Sequence, residues 1–449
     1  MGFVIPIFDP LYPYFSRSFN VGFDKIGLVF FGGSLTGIIA IISAGMLSDR
    51  FPLRKLLLWS FAISFAGFGV FAIFHNFTGL IISVILVNIG VTIYWPALYA
   101  KVFHDHPENY STLYIRLERF YYLATAFGPL LIALLLYLDI SPRYIFIFLL
   151  LLFVLLFFMF YTGFRDKTAN TPNNDTADTI YNDIADTINN NFADKPNNDS
   201  ATSSASGVLN SKTGKAPISF GNINGGSGMN TLAGSKLLSH RTTIGGPQKV
   251  KLHKKIAGFF TPTVIFANLS LTLFGGVMVG TSAWLTTYFT TFNIAVSLSS
   301  IFVAVFWFAT FLGLQIMSKI IDKIREEKIL LYGGIISSVS LICFSLINII
   351  YIKVFFLTLV GMSLSGIYPL CGAITIRANP KSAGTSSGIT IAMGLAGGLI
   401  VSPVMGFVAQ YLSKSYVPYV LVILAVLGTI LSAVLLKISL DKNRDRVKA

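Results

Sequence analysis

Residues 25–74 read KIGLVFFGGSLTGIIAIISAGMLSDRFPLRKLLLWSFAISFAGFGVFAIF: two apolar runs, about 25–47 and 56–74, divided by a loop that carries Asp49, Arg50, Arg54 and Lys55. Each run is close to the ~20 residues an α-helix needs to cross a hydrocarbon core about 30 Å thick. Lipid offers the backbone no hydrogen-bond partners, so such a run crosses as a helix, which satisfies its N–H and C=O groups internally. The charges between the runs do not follow them into the bilayer. The stretch therefore reads as a hairpin of two spanning helices with its turn in water, and the reading extends outward along the chain.

Further runs lie at about 78–100, 115–137, 143–163, 259–288, 297–318, 329–349, 354–376, 386–411 and 416–436, which makes eleven of full length. Residues 1–17 form a short twelfth, interrupted by Pro6, Pro10 and Pro13. The expected fold is all-α and polytopic, with twelve transmembrane helices of which the first is short. Composition agrees: of 449 residues, 54% are hydrophobic and 12% charged, with mean hydropathy +0.72. A soluble domain carries about 25% charged residues, so a soluble enzyme and a disordered chain are excluded. The first run has no basic flank and no small-residue cleavage site, which argues against a signal peptide. Its length predicts a native start upstream of Met1, or a shortened first helix.

Residues 164–257 interrupt the pattern. They are rich in Asn, Asp, Ser, Thr and Gly, and contain a tandem octad: ANTPNNDT from Ala169, ADTIYNDI from Ala177, ADTINNNF from Ala185 and ADKPNNDS from Ala193. Nothing in them could bury a core, so they read as a solvated linker. Three parts result: a six-helix bundle over 1–163, the linker over 164–257, and a second six-helix bundle over 258–449.

The formal net charge of +14 takes its meaning from where Lys and Arg fall. With alternating helices, 28 lie on the side of the termini and linker and 5 on the other; without the linker the count is 17 to 5. The positive-inside rule then places both termini and the linker in the cytoplasm of a multi-pass plasma-membrane protein. The basic balance is topological, and nucleic acid is not an expected partner. Cys343 and Cys371 sit in separate apolar runs and suggest neither a disulfide framework nor a metal site.

The two halves repeat. Asp49 and Asp322 follow the second and eighth runs, 273 residues apart. Ile-Tyr-Trp-Pro ends at Pro96 and Gly-Ile-Tyr-Pro at Pro369, again 273 apart; Gly128-Pro129 is echoed by Ser402-Pro403 at 274. Six helices, a linker and six related helices are the organisation of a parallel-repeat transporter.

With these landmarks the chain resembles the major facilitator superfamily over its whole length except the linker. The strongest match is the loop from Gly45 through Asp49-Arg50 to Arg54-Lys55, which is similar to the family's loop signature, with Pro52 where a second Gly is usual. The second copy, Ser318 to Asp322-Lys323, is degenerate. The resemblance implies that Asp49 meets the start of the eleventh helix near Ser382–Gly388, and by symmetry that Asp322 meets Ser111-Thr112. Such contacts would latch the halves on the cytoplasmic side. The fifth helix keeps Gly128-Pro129 of the drug-exporter signature but has Ala124 and Ile132-Ala133 in place of its other glycines. The fourth helix lacks the arginine of many proton-coupled members.

Ionisable groups inside the hydrocarbon are rare and functional by default. Asp9, in Phe8-Asp9-Pro10-Leu11-Tyr12-Pro13, lies about 9 residues from the outer end of the first run, roughly 13 Å at 1.5 Å per residue. A carboxyl there could exchange a proton between the two sides, bind a cationic substrate group, or simply be hydrogen-bonded within the bundle. The resemblance implies that the first, fourth, seventh and tenth helices line a central cavity. On them Tyr12, Asn88, Tyr94, Trp95, Asn268, Ser365 and Tyr368 are candidates for solute contact, though each could equally be packing between helices. Gly128, Pro129 and Pro403 are candidate flexing points. Arg116, Glu118 and Arg119 are expected to pair or snorkel at the membrane boundary.

Several motifs carry little. Gly384–Gly388 fits a hydrolase nucleophile pattern without a preceding strand, and His104-Asp105-His106 is a weak metal pattern. Asn76-Phe-Thr78 is a glycosylation sequon, and the chain has no Gly-Lys-Ser/Thr phosphate loop. No enzyme activity, cofactor or metal is expected. The expected function is secondary active transport of a small polar organic solute by alternating access, as symporter or antiporter with protons, by a monomer in the lipid bilayer. Export of drugs or metabolites and a transporter-like solute sensor are the alternatives.

Overall fold

The computed structural model describes residues 5–48, 53–105, 110–163, 261–321, 323–378 and 383–448. They belong to one compact unit, Met1–Asn173 with His253–Ala449. The helices are α1 (Tyr12–Ser18), α2 (Phe23–Ser48), α3 (Leu53–Ile73), α4 (Phe77–Asp105), α5 (Tyr110–Tyr137) and α6 (Arg143–Gly163), then α7 (Pro262–Phe289), α8 (Val296–Ile320), α9 (Glu326–Leu346), α10 (Ile350–Leu364), α11 (Ile367–Ala378), α12 (Ala383–Phe407) and α13 (Val417–Lys448). Among the described residues ten helical spans are long and apolar enough to cross a membrane; α6 has a shorter apolar stretch, Arg143–Met159. This is a multi-pass membrane protein, and its layout fits twelve spans in two repeats.

The first span is not a continuous helix. Ile5–Ile7 and Asp9–Leu11 are 3₁₀ turns leading into the seven residues of α1. Pro6, Pro10 and Pro13 follow one another within a turn or so, each removing an N–H from the ladder, and a regular α-helix starts only at α1, where Pro13 falls in the first turn and no N–H is needed. Irregular backbone at membrane depth is tolerated only inside protein. Ile7, Phe8, Leu11, Tyr12 and Phe15 are accordingly all buried, within the larger apolar core. The tenth span is also broken: α10 ends at Leu364 and α11 begins at Ile367, just ahead of Pro369. Its counterpart Pro96 lies inside an unbroken α4.

Packing repeats in the two halves. In the first, α2 packs on α4, α3 on α4, and α3 on α6; in the second, α8 packs on α10, α9 on α10, and α9 on α13. The halves meet through two symmetry-related pairs, α2 with α12 and α5 with α8. The backbone carries the repeat too. Asn20, before α2, and Asn293, before α8, both adopt left-handed φ, 51° and 57°, and lie 273 residues apart. Asn is among the few non-glycine residues that tolerate this region.

The end of the bundle where α1, α7 and α12 finish is termed here the far end, and the end where α6 stops and α7 begins the linker end. At the far end α2 and α12 cross at Gly27 and Gly406, whose Cα atoms are close enough that any Cβ would meet backbone. Nearby, the Phe23 amide donates to Gln410 Oε1 at 2.9 Å, and the Lys414 ammonium lies 4.9 Å from the Phe23 ring centroid. Toward the linker end a separate apolar cluster of Ile41, Trp95, Tyr114, Ile391 and Ala392 joins α2, α4 and α5 to α12.

Candidate solute and coupling site

Between these two sets of contacts lies a cavity of about 170 Å³, lined from both halves. Asp9, Tyr12, Asn88, Trp95 and Tyr368 line it, as expected from the sequence. Trp95 and Tyr368 are repeat-related, each one residue before its proline, so the repeat delivers an aromatic side chain from each half.

Asp9 is only half-buried although its neighbours are fully enclosed, because it faces the cavity. The Ser282 hydroxyl donates to Asp9 Oδ2, and Ser282 Oγ accepts from the Trp307 indole N–H at 2.9 Å. The polar chain therefore runs from α8 through α7 to the first span. Asp9 and Ser282 are 273 residues apart. Repeat-related positions that touch lie on the pseudo-twofold axis relating the halves. One carboxylate, present in one half only, is thus hydrogen-bonded across the interface that must change if the halves rock.

Aromatic groups enclose this chain. Tyr12 packs 4.3 Å from Phe30 and edge-on to Trp284 at 5.3 Å, on the far-end side. Trp307 stacks on Tyr122 at 5.7 Å with 17° between the planes.

Glu118 also lines the cavity, at 5% exposure, with Tyr121 and Tyr122. Its side chain is enclosed there and does not snorkel outward. α5 begins at Tyr110, some five residues before the apolar run suggested, so Glu118 lies eight residues, or roughly 12 Å, inside the helix. Positions three and four apart share a helix face, so Glu118, Tyr121 and Tyr122 point inward together. Arg116 is exposed.

Three candidates are placed elsewhere. The Asn268 amide donates to Val264 O at 2.9 Å and to Thr375 Oγ1 at 3.1 Å, joining α7 to α11 rather than facing the cavity. Ser365, in the break between α10 and α11, donates to Met362 O at 2.9 Å against α8. Tyr94 packs edge-on to Trp95 at 5.4 Å outside the lining. The Asn268 amide thus donates to its own helix and a neighbouring one, and the Ser365 hydroxyl to the turn before it, as polar side chains in lipid do.

Of the loop signature, Gly45 is buried and Lys55 exposed. Asp49, Arg50 and Asp322 lie outside the described residues, as does the side chain of Arg54, so the expected latch falls there too. Lys323 is exposed, beside a network that ties α9, α11 and α13 at the linker end. In it Arg377 pairs with Glu326 through both amino groups, one at 2.8 Å; Arg325 Nη2 donates to Ser439 at 2.6 Å, and Ser439 donates to Glu327 at 2.7 Å. Gly128 and Pro129 are buried inside α5, and Pro403 sits in α12 beside Gly27. Four residues beyond Pro403, α12 passes into a π-helical turn, Val408–Leu412.

Ser282 and Trp307 were not anticipated. The signal for Ser282 was present, since the repeat offset applied to Asp9 lands on it; nothing marks Trp307 among the apolar residues of the eighth run.

No curated protein matches the chain. A family model for the Major Facilitator Superfamily matches it over residues 1–393 and again over 265–448. With the repeated helices and the interface cavity, that match makes the chain a member of the Major Facilitator Superfamily, a family of membrane transporters.

Proposed function

We propose that this protein is a proton-coupled secondary transporter and not an enzyme, and that it moves a small organic solute through the central cavity by alternating access. The bundles of residues 1–163 and 258–449 rock against each other, with the 164–257 linker and both termini in the cytoplasm of the plasma membrane. Asp9 is the coupling group, and Tyr12, Asn88, Trp95 and Tyr368 contact the solute. The single observation that carries this reading is the Ser282–Asp9 hydrogen bond across the pseudo-twofold axis. A carboxyl there is reached from whichever side the cavity opens to, and its hydrogen bond to the other half makes its protonation sensitive to the arrangement of the halves. A buried charge without a partner is costly, so the site favours moving while neutralised.

The test is Asp9→Asn in the purified full chain, reconstituted in liposomes under an imposed proton gradient. Gradient-driven solute movement is expected to be lost in a variant that remains folded. Gradient-driven movement at the wild-type rate would overturn the assignment of Asp9.

A further inference from the structure

The lining of the cavity constrains the charge of what enters it. It holds two carboxyl side chains, Asp9 and Glu118, and among the described residues no Lys, Arg or His. Glu118 has interactions of its own; the Asp9 carboxyl, held by the neutral Ser282 hydroxyl, biases the cavity against an anionic occupant, since like charges in a poorly solvated space repel strongly. The remaining surface is largely aromatic, with Tyr12, Phe30, Tyr122 and Trp307 grouped around the Asp9–Ser282 pair. Aromatic faces attract cations within about 6 Å of the ring, and more strongly where water is excluded.

The same lining disfavours an inorganic divalent ion. Ca²⁺ takes 6–8 oxygen ligands and Mg²⁺ near-ideal octahedral oxygen geometry. Among the described residues no three His, Cys, Asp or Glu side chains are grouped to hold a metal ion. A volume of about 170 Å³ is also small beside the roughly 300–1,000 Å³ of pockets for drug-sized ligands.

We infer that the cavity takes a compact monovalent organic cation, a protonated amine or a quaternary ammonium on a small apolar body, and that the cation and a proton occupy the Asp9 carboxylate in turn. This inference rests on the transporter reading of the same cavity and names its substrate class. In the exchange, the O–H bond of protonated Asp9 breaks and the proton passes to water on the open side. The carboxylate left behind pairs with the arriving cation. The Asp9 carboxylate is neutralised in either loaded form and charged only when empty, so the halves change places loaded with one or the other. That is antiport.

The experiment uses the purified full chain and titration calorimetry in buffers of different ionisation enthalpy, which counts protons released on binding. The probes are 2-hydroxyethyltrimethylammonium, tetraethylammonium and benzyltrimethylammonium, with 3,3-dimethylbutan-1-ol as the uncharged carbon isostere of the first. At least one ammonium probe is expected to bind, the first to bind about tenfold or more tighter than its isostere, and protons to be released on binding. Asp9→Asn should abolish proton release. Tryptophan fluorescence and size exclusion establish that the variant is folded, and the comparison of probes needs no variant at all. Binding of the isostere as tight as that of the cation, cation binding without proton release, or no binding of any ammonium probe would overturn the inference. Failure of the transporter reading looks different. In that case the ammonium probes bind with proton release but cross no liposome membrane. Conversely, Asp9-dependent accumulation of the neutral isostere alone leaves the transporter reading intact and removes the cation.

Discussion

Gly406→Ala should prop open the far end of the molecule. A Cβ at 406 would stand 2.7 Å from the carbonyl oxygen of Phe23 and 3.3 Å from Gly27 Cα; one at 27 would stand 2.6 Å from Ser402 O. These partners are backbone, which cannot rotate aside as a side chain does. Ordinary carbon contacts begin near 3.4 Å, so α2 and α12 must part by roughly 0.7 Å, a strain of about 1–3 kcal/mol for overpacking. The strain exists only while the far end is closed, so it shifts the balance between closed and open forms by about 5–150-fold. The assay is labelling of a single cysteine, Ser34→Cys in the cavity lining, by a membrane-impermeant thiol reagent from the far side. Cys343 and Cys371 are replaced by Ala beforehand. Gly406→Ala should raise the labelling rate at least about fivefold. Gly32→Ala is the control, because a Cβ at Gly32 meets nothing within 4 Å. Equal rates in the two variants, with both folded, would refute the wedge argument. Gly27→Ala added to Gly406→Ala should give less than the sum, since the two share one contact.

Two further predictions concern the far end. Lys353, near the start of α10, is fully buried, and its ammonium donates to Phe344 O at 2.6 Å and Tyr288 Oη at 2.7 Å. Lys353→Met would leave that carbonyl and hydroxyl without the donor, destabilising the protein by about 1–3 kcal/mol; a thermal melt no lower than wild type would contradict this. His75, between α3 and α4, packs against Phe71 at 4.8 Å, and burial, followed by the Arg143 charge, holds its imidazole below the ordinary histidine range. As pH falls through about 6.5, an unfolded chain takes up this proton before the folded one does, so stability should decline on acidification until the folded group also titrates. His75→Gln should flatten that part of the melting-temperature profile, and an unchanged slope between about pH 7 and 5 would count against it.

Much of the fold was legible because lipid imposes a one-dimensional rule. Length and hydropathy of a run decide whether it crosses, and the runs found in the sequence reappear as α2 to α13, with most ends displaced by a few residues and the last helix continuing to Lys448. Hydropathy gives the extent of a run and not the direction each side chain takes, so nothing in the sequence marks Glu118 as turned inward to the cavity. The broken first span was legible too, in three prolines spaced three or four residues apart.

The sequence by itself determined the spans, the internal repeat with its 273-residue offset, and Asp9 as the charge out of place. It did so because each of these depends on local composition or on spacing along the chain. Which polar side chains face the cavity was decided only by tertiary structure. Asn88 and Asn268 are alike in type and depth, yet one lines the cavity and the other hydrogen-bonds to Thr375 on a neighbouring helix. The rotation of each helix, set by packing against its neighbours, makes that choice. The meeting of Asp9 with Ser282 needed both: the repeat names the partner, and the pseudo-twofold arrangement of the two halves brings it into contact.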